Sequence, residues 1–273
     1  MEQLDEEFGG FVSNFEELFD EAEVSGDDLL LLPLYHTTNQ DGLFGIMKER
    51  QLKATLCPVY NENLVFFFYG KAKYRSKTTG DKFNTISLPI VFGFNITTIN
   101  KPFKRFAPFD TGGFPLYELE SEIDYFAINE TKEINIRKLV KVLFTDNSFY
   151  LDDELHISID TERYRLFRPI INLQTMHDRT KVGACNYGRR AFTIEVTVPD
   201  DINLKDTHFD VMFVPHSMFT DPRCLAIIQH RFGYAIKFVA YSENDKTKTS
   251  EDYFALLTNA VSKYVNDYKK ANP

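Results

Sequence analysis

Three separated segments of the chain carry the side chains best suited to chemistry. His36 follows an apolar run and precedes an amphipathic segment, so its ring is expected at the rim of a sheet, within reach of a ligand. The segment 66–75 (FFFYGKAKYR) sets aromatic rings beside cations. Such a pattern suits a ligand with a planar ring and phosphates, because the ring stacks while the cations meet the phosphates. The segment 188–199 (GRRAFTIEVTVP) places Glu195 inside an apolar strand.

Each segment also has a structural interpretation. A lone histidine such as His36 is often a satisfied structural residue, and the other five histidines show no metal-binding spacing. The residues after Tyr69 also fit a solvated basic loop. Strand alternation places Glu195 on one face with Thr193 and Thr197, and this polar face looks either into water or into a pocket.

The intervening segments predict the elements that position these residues. We predict a helix from Gln40 to about Arg50, and the segment 134–144 fits either a strand or a helix. The Pro- and Gly-rich segment 102–115 predicts a loop long enough to serve as a lid. A helix over 251–270 with one apolar face is expected to close the fold. Predicted strands cover 29–35, 64–69, 86–99, 192–198, 209–215 and 235–241.

The composition is that of a globular protein that can bury a core. The chain has 273 residues, of which 43% are hydrophobic and 26% are charged, which excludes disordered, collagenous and coiled-coil chains. Phenylalanine occurs 26 times and tryptophan not at all, so aromatic packing must replace much of the usual aliphatic packing. No apolar run is long enough for a membrane span and no signal peptide is recognisable, so we expect a cytoplasmic protein without membrane contact.

Charge is distributed very unevenly along the chain. The first 28 residues hold eleven of the 40 acidic side chains and no lysine or arginine. The formal net charge of -9 therefore becomes +2 when this segment is excluded. Apolar residues within it recur at helical spacing, which predicts an acidic amphipathic helix. We expect the domains to be an acidic helical segment over 1–28 and a single α+β domain over 29–273. The helix either packs by its apolar stripe or makes a regulatory contact with basic loops.

The order and spacing of the three segments resemble those of the ADP-ribosyltransferase fold, in particular the DarT-type enzymes that modify DNA bases. In that family an early strand carries His-x-Thr, an aromatic segment followed by arginine lines the NAD site, and a late strand carries the catalytic glutamate. Here His36 and Thr38 match the first element, and Glu195 matches the third. Tyr69 matches the second, together with Lys71 or Arg75. The resemblance implies a split, mixed or antiparallel β-sheet in an α+β fold.

The resemblance also implies an activity, namely NAD-dependent transfer of ADP-ribose to a macromolecule without a metal ion. Cleavage of the nicotinamide–ribose bond builds positive charge on the sugar, which a fixed carboxylate stabilises. The implied catalytic residues are Glu195, His36 and Tyr69. The implied NAD-binding residues are His36, Thr37, Thr38, Tyr69, Lys71, Tyr74 and Arg75.

The acceptor is expected to be nucleic acid, because cations beside aromatic rings can follow a single strand by charge and stacking. The candidate contacts are Lys73, Lys77, Lys104, Arg105 and Arg190. Phe103 and Phe106 are the aromatic residues beside them. A protein acceptor fits the same residues. The resemblance suggests a toxin or anti-phage effector.

Two other classes of function stay open. One is a module that binds NAD or a nucleotide without turnover. The other is an RNA 2′-phosphotransferase, which also consumes NAD. An enzyme with a cysteine nucleophile is disfavoured, since Cys57, Cys185 and Cys224 have no recognisable histidine partner nearby in sequence.

Overall fold

The fold is known from a computed structural model that describes residues 29–73, 88–112, 133–152, 171, 173–175, 193–243 and 250–272. The chain divides into two compact units, each assembled from segments that are distant in sequence. One unit comprises the described residues of 1–30 and 103–196, and the other comprises those of 31–102 and 197–273. The sequence-based expectation of a single domain over 29–273 stays a prediction. The acidic segment 1–28 lies outside the described residues.

The second unit contains a mixed sheet. Its described strands are β1 (Leu34–Thr38), β2 (Gln51–Leu52), β3 (Thr55–Cys57), β4 (Glu62–Tyr69), β5 (Ile90–Phe94), β8 (Ile202–Asn203), β9 (Val211–Pro215) and β10 (Lys237–Tyr241). The order across the main sheet is β10-β9-β5-β1-β4, with β3 paired to β4. The β9–β10 pair is parallel, whereas the β5–β9, β1–β5 and β1–β4 pairs are antiparallel. The strands β2 and β8 form a separate antiparallel pair.

Four described helices belong to the same unit. They are α1 (Gln40–Glu49), α4 (His216–Phe219), α5 (Pro222–Phe232) and α6 (Ser250–Ala271). Asn39 caps α1 by accepting a hydrogen bond from the Gly42 N–H, and Asp221 caps α5 in the same way. The helix α6 buries Tyr253, Leu257, Val261 and Val265 and packs against β9 and β10. This confirms the C-terminal helix and its predicted apolar face.

Edge-to-face aromatic contacts hold one face of the main sheet, as the phenylalanine content predicts. The rings of Phe92 and Phe209 lie 4.8 Å apart at 89°, and those of Phe67 and Phe94 lie 5.4 Å apart at 88°. Phe232 of α5 completes the cluster, 5.0 Å from Phe209. Such pairs contribute about 0.5–1.5 kcal/mol each beyond the burial of their area. The side chains of this cluster are almost completely buried.

The described elements of the first unit include the strand that begins with Glu195. They are β6 (Arg105–Ala107), α2 (Glu133–Phe144), α3 (Asn147–Leu151) and the start of β7 (Glu195–Val198), which is the neighbour of β6. Asp146 caps α3 by accepting from the N–H groups of Ser148 and Phe149. A buried apolar side of α2, formed by Ile136, Leu139, Val140 and Leu143, anchors that helix.

Several boundaries differ from the sequence-based predictions. The first strand begins at Leu34 rather than 29 and continues to Thr38, so His36 lies within it. The segment 134–144 is helical. The loop predicted over 102–115 contains the short strand β6, because strand pairing with β7 outweighs the local effect of its Pro and Gly residues. The strand predicted over 86–99 covers only Ile90–Phe94, and Asn95 caps a 3-10 turn after it.

Candidate functional site

Glu195 opens β7 and is buried. Only 2% of its surface is exposed, and Thr193 and Thr197 on the predicted polar face are equally inaccessible. The interpretation of this face as solvated is therefore wrong. The apolar residues Ile194, Val196 and Val198 are also buried, so both faces of the strand lie inside the protein. A buried carboxyl group is costly unless it is hydrogen-bonded, so its partners matter.

Thr111 supplies those partners. Its hydroxyl donates to Glu195 Oε1 at 2.6 Å and its backbone N–H donates to Glu195 Oε2 at 3.2 Å. Thr111 itself is 1% exposed. One residue thus holds both carboxyl oxygens and sets the plane of the group.

Burial and a second acidic residue change the ionisation of Glu195. Burial, followed by the negative charge of Asp110, raises the pKa of Glu195 to about 8, while the two hydrogen bonds from Thr111 act in the opposite direction. The carboxyl group is therefore largely neutral at pH 7 in the free protein. It can ionise when positive charge develops beside it. A group with its pKa near the working pH is suited to acid–base or electrostatic catalysis.

The backbone that carries Glu195 is also anchored. The N–H of Ile194 donates to the hydroxyl of Tyr150 at 3.2 Å, and Tyr150 is completely buried in α3. Asn147 of the same helix donates to the carbonyl of Leu30 at 2.6 Å. The helix α3 therefore fixes the entry to β7.

His36 lies in β1 of the second unit. Its ring Nδ1 donates to the Phe66 carbonyl at 3.0 Å, since a carbonyl can only accept. The ring also packs against Phe67, with centroids 5.9 Å apart. Burial lowers the pKa of His36, and the hydrogen bond to Phe66 partly opposes this effect. The neutral ring then presents Nε2 as an acceptor, which suits a ligand hydroxyl.

Thr37 and Thr38 are half-buried beside His36. The hydroxyl of Thr37 is buried and has no hydrogen-bond partner among the described residues. Thr38 lies against the first turn of α1, where a Cβ at Gly42 would come within 2.0 Å of the Thr38 hydroxyl. His36 and Glu195 belong to different units, and the prediction that they share a cleft stays a prediction.

The Tyr69 ring is not accessible for stacking on a ligand. It is completely buried, and its hydroxyl accepts from the Leu32 N–H at 3.1 Å. The partly exposed rings of β4 are Phe66 and Phe68, on the opposite face of the strand. The alternation of β4 therefore decides which rings are accessible.

The predicted cations fall into three groups. Lys71, Lys104 and Arg105 are partly exposed, whereas Lys73 is buried with 6% exposure, unlike the solvated cation that the sequence suggests. Phe103 and Phe106 are also buried and pack together 5.7 Å apart, so neither ring faces solvent for base stacking. The other predicted contacts lie outside the described residues, namely Tyr74, Arg75, Lys77 and Arg190.

Sequence reasoning missed Asp110, Thr111 and Tyr150. The first two belong to the predicted lid loop, where the only signal was its unusual length and composition. Tyr150 gave no signal, because its role depends on a helix that is distant from Glu195 in sequence.

The described part of the chain contains neither a metal-binding cluster nor a cysteine activated as a nucleophile. No cluster of three or more His, Cys, Asp or Glu residues there is arranged to hold a metal ion. Cys57 is buried, and burial followed by the charge of Asp221 raises the pKa of Cys224, which weakens it as a nucleophile. Cys185 lies outside the described residues. None of the described helices is both long and apolar enough to cross a bilayer.

Comparisons with known proteins give a distant structural likeness and no match in sequence. No protein family matches the chain, and no curated protein matches its sequence. Among solved structures, the chain is similar to the DarT protein of Thermus sp. 2.9 in complex with NAD+. The two are 10% identical with a TM-score of 0.39, over 76% of this chain and 94% of that one.

Proposed function

We propose that the protein is an NAD-dependent ADP-ribosyltransferase in which Glu195 is the catalytic residue. The observation that carries the proposal is the buried carboxyl group of Glu195 at the start of β7, held by both donors of Thr111, with its pKa raised to about 8. The sequence resemblance assigns the same residue to catalysis. Motif order and local geometry support Glu195 independently of each other.

The chemistry of NAD cleavage matches this carboxyl group. As the glycosidic bond breaks, the ribose develops positive charge and nicotinamide leaves with the bonding electrons. A carboxylate fixed beside the sugar stabilises that charge where it forms. The cationic nicotinamide of bound NAD+ favours ionisation of Glu195, which the free protein holds mostly neutral. His36 would accept a hydrogen bond from a ribose hydroxyl through Nε2.

The acceptor is proposed to be nucleic acid. The partly exposed cations Lys71, Lys104 and Arg105 support it, together with the sequence resemblance. Because Phe103 and Phe106 are buried, they do not support base stacking in the loop that follows β5. The proposal of a nucleic-acid acceptor therefore depends on the positive charges. The sequence resemblance also suggests a role as a toxin or anti-phage effector.

Substitution of Glu195 tests the proposal. Glu195→Gln keeps the shape of the side chain but cannot carry negative charge, so release of nicotinamide from NAD+ should fall by about 100-fold or more. Glu49→Gln is the matched control, because Glu49 is an exposed residue of α1 that pairs with Lys53 and should leave turnover unchanged. Nicotinamide is measured by liquid chromatography.

The same experiment separates the alternatives. NAD binding by the wild type without nicotinamide release would contradict the enzyme and favour a binding module. Mass spectrometry of DNA, RNA and protein after incubation with NAD+ identifies the acceptor. Loss of a 2′-phosphate from RNA, in place of a gain of ADP-ribose, would indicate a phosphotransferase.

A further inference from the structure

The turn after β6 contacts the proposed catalytic carboxyl group directly. Thr111 presents its hydroxyl and its N–H to the two different oxygens of Glu195, at 2.6 and 3.2 Å. A hydroxyl contact that short is typical of a strong hydrogen bond to a carboxyl group. An ionised carboxylate has about four acceptor positions, and these two bonds use one on each oxygen.

The turn is closed by its own residues. Asp110 Oδ1 accepts from the Gly112 N–H at 3.0 Å, which forms an Asx turn around Thr111. A Cβ at Gly112 would approach that oxygen to 3.1 Å, tighter than most such contacts. The turn itself therefore sets the direction of the Thr111 donors, independently of their contact with Glu195.

The other side of Glu195 is fixed independently by the bond between Ile194 and Tyr150. With its backbone held by α3 and its carboxyl oxygens held by the turn, Glu195 has little rotational freedom. Preorganisation of this kind is what electrostatic catalysis requires.

Building on the proposed function, we propose that Asp110 and Thr111 form a positioning pair for Glu195. Thr111 orients the carboxyl group toward the ribose of NAD+, and Asp110 is the second acidic group of the site. Neither residue is required to touch the substrate. Among the described residues, Asp110 is the charged group that acts on Glu195.

The two members of the pair have opposite electrostatic effects. The hydrogen bonds from Thr111 lower the pKa of Glu195, and the charge of Asp110 raises it. If turnover needs the ionised form, activity rises as the pH passes through the pKa of Glu195. Loss of the Thr111 hydroxyl should move this midpoint to higher pH, and loss of the Asp110 charge should move it to lower pH. A purely structural role for either residue would not move the midpoint in opposite directions.

The test compares Thr111→Val, Thr111→Ser and Asp110→Asn with the wild type in nicotinamide release across pH. We expect Thr111→Val to lower kcat by about 10- to 100-fold, with a smaller effect on KM, because it removes one charge-assisted hydrogen bond. Thr111→Ser keeps the hydroxyl and should stay within about 3-fold of the wild type. Asp110→Asn keeps the oxygen that accepts from Gly112 and removes only the charge.

A second measurement does not depend on turnover. Titration of the Glu195 carboxyl carbon by NMR should show a higher pKa in Thr111→Val and a lower pKa in Asp110→Asn than in the wild type. Unshifted values in both variants would overturn the positioning pair, even if the enzyme is active. Should Thr111→Val fail to fold, as seen by circular dichroism, Asp110→Asn decides alone: a lower midpoint supports the pair and an unchanged one contradicts it. Absence of nicotinamide release from the wild type would instead refute the proposed function.

Discussion

The Glu195 carboxyl group destabilises the folded protein when it ionises, and it is also the group proposed to act in catalysis. Its burial disfavours the charged form and Asp110 adds repulsion, and among the described residues only Thr111 compensates. A residue placed this way lowers the stability of the folded protein at neutral pH. Such a cost is common where a side chain is retained for function.

This cost predicts how stability depends on pH. The unfolded chain loses the Glu195 proton near pH 4.5 and the folded chain near pH 8, so between them the folded state holds one more proton. Stability from this group is therefore lost as pH rises, by up to about 1.4 kcal/mol per pH unit. Glu195→Gln should remove this slope. The free energy of unfolding of the variant should therefore increase relative to that of the wild type between pH 5.5 and 8.

Urea denaturation at several pH values measures the difference. Glu49→Gln should run parallel to the wild type, because that residue is exposed. Equal pH dependence in all three proteins would mean that Glu195 ionises as easily when folded as when unfolded.

At the scale of elements, the centre of the sheet depends on a glycine. Gly93 of β5 lies between Tyr35 of β1 and Val211 of β9, its partners in the sheet. A Cβ there would come within 2.5 Å of Val211 Cγ1 and 2.9 Å of Tyr35 Cε1. The missing side chain thus lets the buried Tyr35 ring lie across the strand.

Two glycine substitutions test this packing. Gly93→Ala should destabilise the protein by about 1–3 kcal/mol, because a core already at full density must shift to accept a methyl group. The matched control is Gly45→Ala in the exposed middle of α1, where no described atom beyond the adjacent residues and the helix backbone lies within 4 Å of the new Cβ. It should stabilise the protein by about 0.5–1 kcal/mol through helix propensity. Thermal unfolding of both variants gives the comparison, and a neutral Gly93→Ala would contradict the described packing.

At the scale of the whole molecule, net charge affects the general attraction to nucleic acid. The first 28 residues change the formal charge from +2 to -9, which disfavours general attraction to nucleic acid. If this acidic segment competes for basic loops, it regulates access of the acceptor.

Removal of the acidic segment is expected to increase affinity for single-stranded DNA. A variant lacking residues 2–28 should bind more tightly at low salt, with a steeper loss of affinity as salt increases. A full-length variant with the eleven acids replaced by Asn or Gln separates the effect of charge from that of the segment itself. Binding is measured by fluorescence anisotropy, and transfer by incorporation of labelled ADP-ribose. Unchanged affinity and transfer in both variants would exclude a regulatory role.

The sequence alone determined the elements whose signal is local. The periodicity of residues 40–50 and 251–270 predicted α1 and α6, and the β-branched alternation around Glu195 predicted β7. Only the tertiary structure decided what surrounds them. Thr111 reaches Glu195 across 84 positions and Tyr150 reaches Ile194 across 44, so neither contact leaves a trace in local pattern. The same holds for burial: alternation places Glu195 on a polar face, but which elements cover that face depends on packing of the whole chain.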